Sequence, residues 1–363
     1  MGRGKLADTL LYAGKYDMKI ALCTTTIHIP HTLKLLRKCS QNVKFFIALD
    51  RKSPFGELTG FMSGDPMSCW LTPGWQEQKW KCSEALGWNT LARRNIAFLE
   101  ALKWGADVIY SWDNDNIPVN LDHFTHFEYW LHSGIKVIGA ETLRARSGGA
   151  VDNERWFDPG SLLIPPIRHR GFPHDKPVSK MASPVTDAMI GVAAGLVIGD
   201  PDIDASTRIE RAPDITNVHI LGSTGIVVDP HTWTVFNSQN TAVIRELIPA
   251  WFMMPGVGRH DDIYASLILQ RVAREYKLHV HFGPPFTYQQ RNEHDLVADL
   301  RKEIDGMENV RKLAAVLDDL ILTGKSVIED TCSIYSALRY CPLLPIESVN
   351  AALLWLEDIA EIP

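Results

Sequence analysis

The sequence predicts an α/β protein with a mostly parallel central sheet and a C-terminal helical extension. Three observations predict it. The chain opens as strand, loop, helix, strand. A later apolar strand runs directly into a loop of alternating carboxylates. From Asp295 onward, Leu, Val and Ile recur at spacings of three and four. With 363 residues, 45% of them hydrophobic, the chain can bury a large core.

The elements follow in order. Residues 19–23 (Lys-Ile-Ala-Leu-Cys) read as a short buried strand, followed by the polar run Thr24, Thr25, Thr26. A helix is predicted from Pro30 to Lys38, then a strand from Val43 to Leu49 that ends in Asp50. Ligands of parallel sheets collect beyond the carboxyl ends of the strands, which places Thr24–Thr26 and Asp50 at such an edge. Residues 54–88 read as irregular, with Pro, Gly and the tryptophans Trp70, Trp75, Trp80 and Trp88, a residue type that usually serves burial. Leu91, Ile96, Leu99 and Leu102 are close to helical spacing and predict a helix over 90–104. Asp107 to Trp112 reads as a strand running into Asp113-Asn114-Asp115-Asn116. Residues 144–190, rich in Gly, Pro and Arg, are expected to form a loop over a site. A strand over 225–229 and a helix over 261–276 complete the main part. The expected division is an N-terminal arm (1–18), a main domain (19–295) and a helical region (296–363).

Bulk properties narrow the function. The net charge of −6 disfavours non-specific nucleic-acid binding, which needs a basic surface to displace counterions. Six scattered cysteines (Cys23, Cys39, Cys69, Cys82, Cys332, Cys341) form no Cys-x-x-Cys pair, so no zinc site is expected. Unpaired thiols suit a reducing compartment, and a cytoplasmic location is expected. The first residues lack the apolar core of a signal peptide, and no apolar run is long enough to span a bilayer.

Asp113 and Asp115 carry the sharpest local signal. Two aspartates one residue apart at a strand end can aim at one hard divalent ion, Mn²⁺ or Mg²⁺, which prefers oxygen ligands and bridges nucleotide phosphates. An isolated Asp-x-Asp reads first as a solvated turn. Here it has company. The run Ala92-Arg-Arg-Asn-Ile-Ala-Phe-Leu-Glu-Ala101, then Gly105-Ala-Asp-Val-Ile-Tyr-Ser-Trp-Asp-Asn-Asp115, resembles the Ala-Arg-Asn helix, apolar strand and Asp-x-Asp of GT-A glycosyltransferases. The resemblance implies a Rossmann-like GT-A catalytic domain and a metal held by Asp113 and Asp115. It also implies an arginine facing the nucleotide diphosphate, with Arg93 favoured over Arg94.

Further motifs narrow the likeness. Arg170-Gly-Phe-Pro173, Gly195-Leu-Val-Ile-Gly-Asp-Pro-Asp-Ile-Asp-Ala-Ser-Thr207, Asn240-Thr-Ala, Arg245-Glu-Leu-Ile248 and Gly258-Arg-His-Asp-Asp262 resemble, in order, motifs of the plant reversibly glycosylated polypeptides, which are UDP-arabinopyranose mutases. The resemblance covers nearly the whole chain. It implies a UDP-sugar substrate. The role of the arginine that reversibly carries the sugar would fall on Arg170, with Asp261 or Asp262 at the reacting sugar as general base or as partner of Arg170. Thr24, Thr25, Thr26, Asp50, Arg93, Asn114 and Asn240 are then expected around the nucleotide sugar, and Asp202 and Asp204 on sugar hydroxyls. Three departures stand out. The family's second arginine is replaced by Val178, the central aspartate of its triplet by Asn114, and a histidine after the last core strand by Gln289.

The side chains themselves temper two of these roles. Arginine is protonated at ordinary pH and a poor nucleophile, so Arg170 also reads as a phosphate clamp or ion-pair partner. Asp261 and Asp262 open a helix, where aspartate caps and meets the dipole. The expected function is therefore a metal-dependent transferase moving a sugar from a UDP-sugar to an acceptor hydroxyl. The acceptor is a glycan, a small molecule or a modified nucleobase, the last disfavoured by charge. The alternatives are a pyranose/furanose mutase working through Arg170 and a non-catalytic UDP-sugar-binding subunit. Homo-oligomerisation is left open.

Overall fold

The expected opening is present, and its first strand runs further than expected. The computed structural model describes residues 18–132, 140–143, 156–175, 182–185, 188–291 and 295–363. The N-terminal arm up to residue 17 and Val178 lie outside them. Strand β1 is Ile20–Thr26, so the three threonines belong to the strand rather than to a loop after it. β-Branched threonine suits a pleated strand, and Thr24, Thr25 and Thr26 pair in register with Ile47, Ala48 and Leu49 of β2 (Lys44–Leu49). Helix α1 (Thr32–Cys39) lies between them.

The tryptophan-rich segment is more regular than its composition suggested. It holds helix α2 (Phe55–Met62), strand β3 (Ser68–Leu71) and helix α3 (Pro73–Lys79). Strand β3 pairs parallel to β2, a tertiary partner that compensates a short, weakly patterned run. A short 3-10 turn (Leu91–Arg93) leads into helix α4 (Arg94–Trp104), which ends at Gly105 with φ 83°, the left-handed cap that glycine adopts without strain.

Strands β4 (Val108–Trp112) and β5 (Asn116–Pro118) flank the carboxylate loop, and helix α5 (His123–Leu131) follows. Strand β6 (Ala140–Leu143) comes next, and the region read as one long loop, 144–190, contains strands in its described residues: β7 (Trp156–Phe157), β8 (Leu163–Ile164) and β9 (Ala182–Val185). Next come β10 (Met189–Gly199), α6 (Ala205–Glu210), β11 (Asn217–Val218), α7 (Ile220–Thr224), β12 (Ile226–Val228), β13 (Trp233–Thr234) and β14 (Asn240–Ile244). Helix α8 (Asp261–Glu275) and strand β15 (Leu278–Gln289) precede the tail helices α9 (Leu296–Asp319), α10 (Val327–Leu338) and α11 (Ile346–Ala360).

The main sheet runs β3-β2-β1-β4-β14-β10-β15-β12-β6-β9, with β5 added against β15. Most strands point one way; β14 is reversed between β4 and β10. Residues on β1 alternate between the two faces. Ala21 and Cys23 join one core, and Ile20 and Leu22 the other. The first core also contains Phe98, Trp251, Phe252, Val310, Leu313, Tyr335 and Trp355, so the helical tail shares a core with the sheet. Phe98 stacks on Trp251 at 5.1 Å, and Phe252 meets Trp355 at 5.3 Å.

The tail also docks by backbone proximity. Gly258 has φ 66°, and a Cβ there would lie 2.2 Å from the carbonyl oxygen of Lys302 on α9. A side chain at this position would force the helix away from the turn that precedes Asp261. No described helix is long and apolar enough to cross a membrane, and all six cysteines are free thiols.

Candidate active site

The sheet brings the expected residues to one edge. Strands β1, β2, β4, β10 and β15 all end there, and β14, running the other way, begins there. Asn240 pairs with Trp112 and Gly199 with Gln289, so the segments after 112, 199 and 289 and before 240 are neighbours. This is the ligand edge of such sheets.

On one side lies the carboxylate loop. Asp113 accepts a hydrogen bond from Arg94 Nη2 at 2.6 Å through Oδ1, and its side chain is 35% exposed. Asp115 accepts one from Gln289 Nε2 at 2.9 Å through Oδ2. Burial, followed by the charge of Asp113, raises the Asp115 carboxyl above its ordinary range. Asn114 turns away and donates to Thr26 Oγ1 at 2.5 Å, while Thr26 Oγ1 donates to the carbonyl of His28. Thr25 Oγ1 donates to the carbonyl of Ala48, and Thr24 is fully buried.

Arg94, and not the favoured Arg93, reaches this loop. Its Nη1 also donates to Ser111 Oγ and to the Oγ and carbonyl of Ser238. Arg93 points the other way into a closed polar nest. It donates to Gln76 Oε1 and to the carbonyl and Oγ of Ser83, with its guanidinium 3.8 Å from the Trp88 ring centroid. Burial pulls its pKa down to about 10. The reason is helical: adjacent residues on a helix differ by 100° in direction, so only one of two neighbours can face a given site.

Asp50 is likewise committed to the fold. Its buried carboxylate accepts the backbone amides of Arg51, Asn89 and Thr90, tying the end of β2 to the start of the 91–93 turn. Asp204 caps α6, taking the amide and hydroxyl of Thr207 and the hydroxyl of Ser206. Asn240 accepts from Tyr110 OH at 2.8 Å and donates to the carbonyl of Pro285, beneath the edge. Each of the three has a complete structural role.

On the other side lies a buried cluster around Arg170. Arg170 Nε donates to Asp202 Oδ2 at 2.6 Å, Nη2 to Asp262 Oδ1 at 2.9 Å, and Nη1 to the carbonyl of Arg259. Burial alone would lower the pKa of this guanidinium, but the carboxylates of Asp202 and Asp262 more than reverse it and hold it firmly charged. Asp202 also receives Arg259 at 3.2 Å and Arg291 at 3.0 Å; burial would raise its carboxyl, but Arg170 first, then Arg291 and Arg259, hold it well below the ordinary range. Arg259 reaches on to Glu303 on α9 at 2.7 Å, and Glu303 in turn accepts the amide of Ala205.

The two sides are joined. Asp262 Oδ2 accepts the amide of Ser238 at 2.9 Å and its hydroxyl at 3.1 Å, and Ser238 is bonded to Arg94. A continuous chain therefore runs Asp113–Arg94–Ser238–Asp262–Arg170–Asp202. Beside it, Gln239 takes Asn116 and Gln289 as side-chain partners. Asp261 stands apart from this chain: its Oδ1 accepts the amide of Asp262 at 3.0 Å. Burial and the neighbouring Asp262 carboxylate push its carboxyl up to about 7, against the opposing pull of Arg170.

A divalent cation could be held by Asp113 and Asp115. Among the described residues, no group of three or more His, Cys, Asp or Glu forms a cage for a metal. Two carboxylates with mutual repulsion suit instead an ion that arrives with phosphates and water in its remaining positions, as Mg²⁺ and Mn²⁺ do with nucleotides.

Sequence reasoning weighed Arg94 but favoured Arg93, and it missed Ser238, Gln239, Arg259, Arg291 and Glu303. Arg259 lies within the quoted Gly258–Asp262 segment, and Arg291 follows the final strand at its carboxyl end, where the strand-end rule points. Ser238, Gln239 and Glu303 carry no local signal. No family model matches the chain, and no curated protein is similar to it in sequence.

Proposed function

We propose that the protein is a metal-dependent glycosyltransferase of the GT-A type that uses a UDP-sugar. The observation that carries this reading is the unbroken polar chain from the Asp113–Asp115 loop to Asp262 and Arg170 at one strand edge, with Asp261 next to Asp262. The sequence resemblance supports the donor class. In this reading Asp113 and Asp115 hold Mn²⁺ or Mg²⁺, which supplies charge stabilisation for the departing diphosphate. Arg94 orients Asp113, and Gln289 orients Asp115.

The sugar's anomeric carbon lies toward Arg170. Its bond to the phosphate oxygen breaks, the electron pair leaving with the diphosphate, and a bond to the acceptor oxygen forms. Asp261 takes the acceptor proton. A carboxyl raised to about 7 has the basicity such a transfer needs near neutral pH, whereas Asp262 is committed to Arg170 and Ser238. Arg170 adds fixed positive charge at the reacting end.

The mutase reading needs Arg170 as a nucleophile. Its charged, fully engaged guanidinium works against that. The test is purified protein with Mn²⁺ and a panel of UDP-sugars, following nucleotides by chromatography and protein by intact mass. Free UDP, lost in Asp115→Ala, with no sugar mass on the protein is the expected result. A new UDP-sugar isomer, together with a sugar mass that disappears in Arg170→Ala, would replace the transferase with the mutase. Turnover that survives Asp115→Ala would remove the metal site from the reaction.

A further inference from the structure

Arg291 is the cation that the cluster leaves short of partners. Its side chain is 9% exposed, and its Nη2 donates to Asp202 Oδ1 at 3.0 Å. Its Nε and Nη1 are buried and, among the described residues, have no hydrogen-bond partner. Native structures rarely bury a charged donor unpaired, and those that do usually have a ligand or solvent to explain it.

The neighbours do not make up the shortfall. Asp202 is shared with Arg170 and Arg259. Arg170 has Asp262 besides, and Arg259 has Glu303 and Asp299. Asp200, the next acidic group that acts on Arg291, is paired with Arg208. Among the described residues, Arg291 has only its share of one carboxylate.

Its position is equally specific. Gln289, two residues earlier, donates to Asp115, and the charge of Arg291 is felt at Asp115. Arg291 therefore stands between the carboxylate loop and Arg170, with which it shares Asp202. The threonines of β1, one of them bonded to Asn114, lie on the other side of β4 from β15. A ligand meeting Arg291 and a cation on Asp113 and Asp115 must carry negative charge next to the cation. A phosphate does so, and guanidinium N–H groups match its oxygens.

We propose that Arg291 binds the terminal, sugar-bearing phosphate of the nucleotide donor, with its two unpartnered nitrogens, Nε and Nη1, donating to phosphate oxygens and Asp202 bracing Nη2. This rests on the reading of the Asp113–Asp115 loop as the seat of a metal-bound diphosphate.

The test is calorimetric titration of the full chain, with Mn²⁺, by UDP, UMP and inorganic pyrophosphate, in wild type, Arg291→Ala and Arg291→Lys. Arg291→Ala is expected to weaken UDP and pyrophosphate by about tenfold or more, with UMP changed by no more than about twofold and Arg291→Lys in between. Equal losses for UDP and UMP would make Arg291 a scaffold residue and overturn the assignment, as would unchanged UDP affinity. Pyrophosphate binding that depends on Arg291, in a protein that ignores UDP, would keep the phosphate site and remove the nucleotide reading. A wild type that binds neither would end both.

Discussion

The two ends of the polar chain are built on opposite plans. The Asp113–Asp115 loop comes from three consecutive residues, is partly exposed, and gives each carboxylate one side-chain partner. The Arg170 cluster is drawn from Arg170, Asp202, Arg259, Asp262, Arg291 and Glu303, which are far apart in sequence, and nearly every charge in it is buried and paired. The loop keeps coordinating capacity for a ligand. The cluster spends most of its capacity on holding α8, α9 and the residue 200–204 segment together. Stability and chemistry are thus divided along one network, and substitutions should separate them.

The largest effect on stability is expected at Asp262. Asp262→Asn leaves Arg170 with one carboxylate fewer in a buried setting, where losing one partner costs about 3–5 kcal/mol. Urea denaturation measures it, and a loss under about 1 kcal/mol would mean that the cluster is not the structural end. Glu303→Gln comes next. It takes the charge from the α9 end of the Arg259 pair but keeps an acceptor for the Ala205 amide, for an expected loss of about 2 kcal/mol. Exchange protection of α9 should fall with it if the tail is latched there.

A pH effect follows, smaller and of predictable sign. Asp158 and Asp261 are both pushed up to about 7 from an ordinary 3.8, chiefly by burial. A raised carboxyl favours folding fully below its unfolded value and loses that contribution as pH rises through the folded one. Stability should therefore decline between about pH 4 and pH 7 by these two groups. Paired Asp158→Asn and Asp261→Asn substitutions should flatten that part of the profile, measured by denaturation at each pH. Paired carboxylates such as Asp202 act in the opposite direction at lower pH.

The smallest stability effect is expected at Asp115, whose ionisation is already opposed by burial and by Asp113. Asp115→Asn should leave the urea midpoint unchanged or slightly higher while turnover falls by about a hundredfold or more. A variant both unstable and inactive would erase the division between the two ends.

The sequence showed the carboxylate loop because its signal is local: an apolar strand, then carboxylates in alternation, at the edge where parallel sheets bind ligands. It also placed α8, the tail helices and the strands β1, β2 and β4. Other elements were harder to read. Residues 54–88 have no clear period, and β3 exists because β2 offers it a hydrogen-bonding edge. Of Arg93 and Arg94, the sequence alone favoured the one that turns inward to Gln76 and Ser83.

By itself, then, the sequence determined the α/β alternation, the strand-end loops and the aspartates that could hold an ion. These depend on periodicity and composition within a few residues. Tertiary structure alone decided which arginine meets Asp113, that Asp50 is taken by the amide of Asn89, and that Arg291 shares Asp202 with Arg170. Those outcomes depend on helix rotation and on contacts between residues 19, 39 and 89 positions apart, where local spacing carries no information.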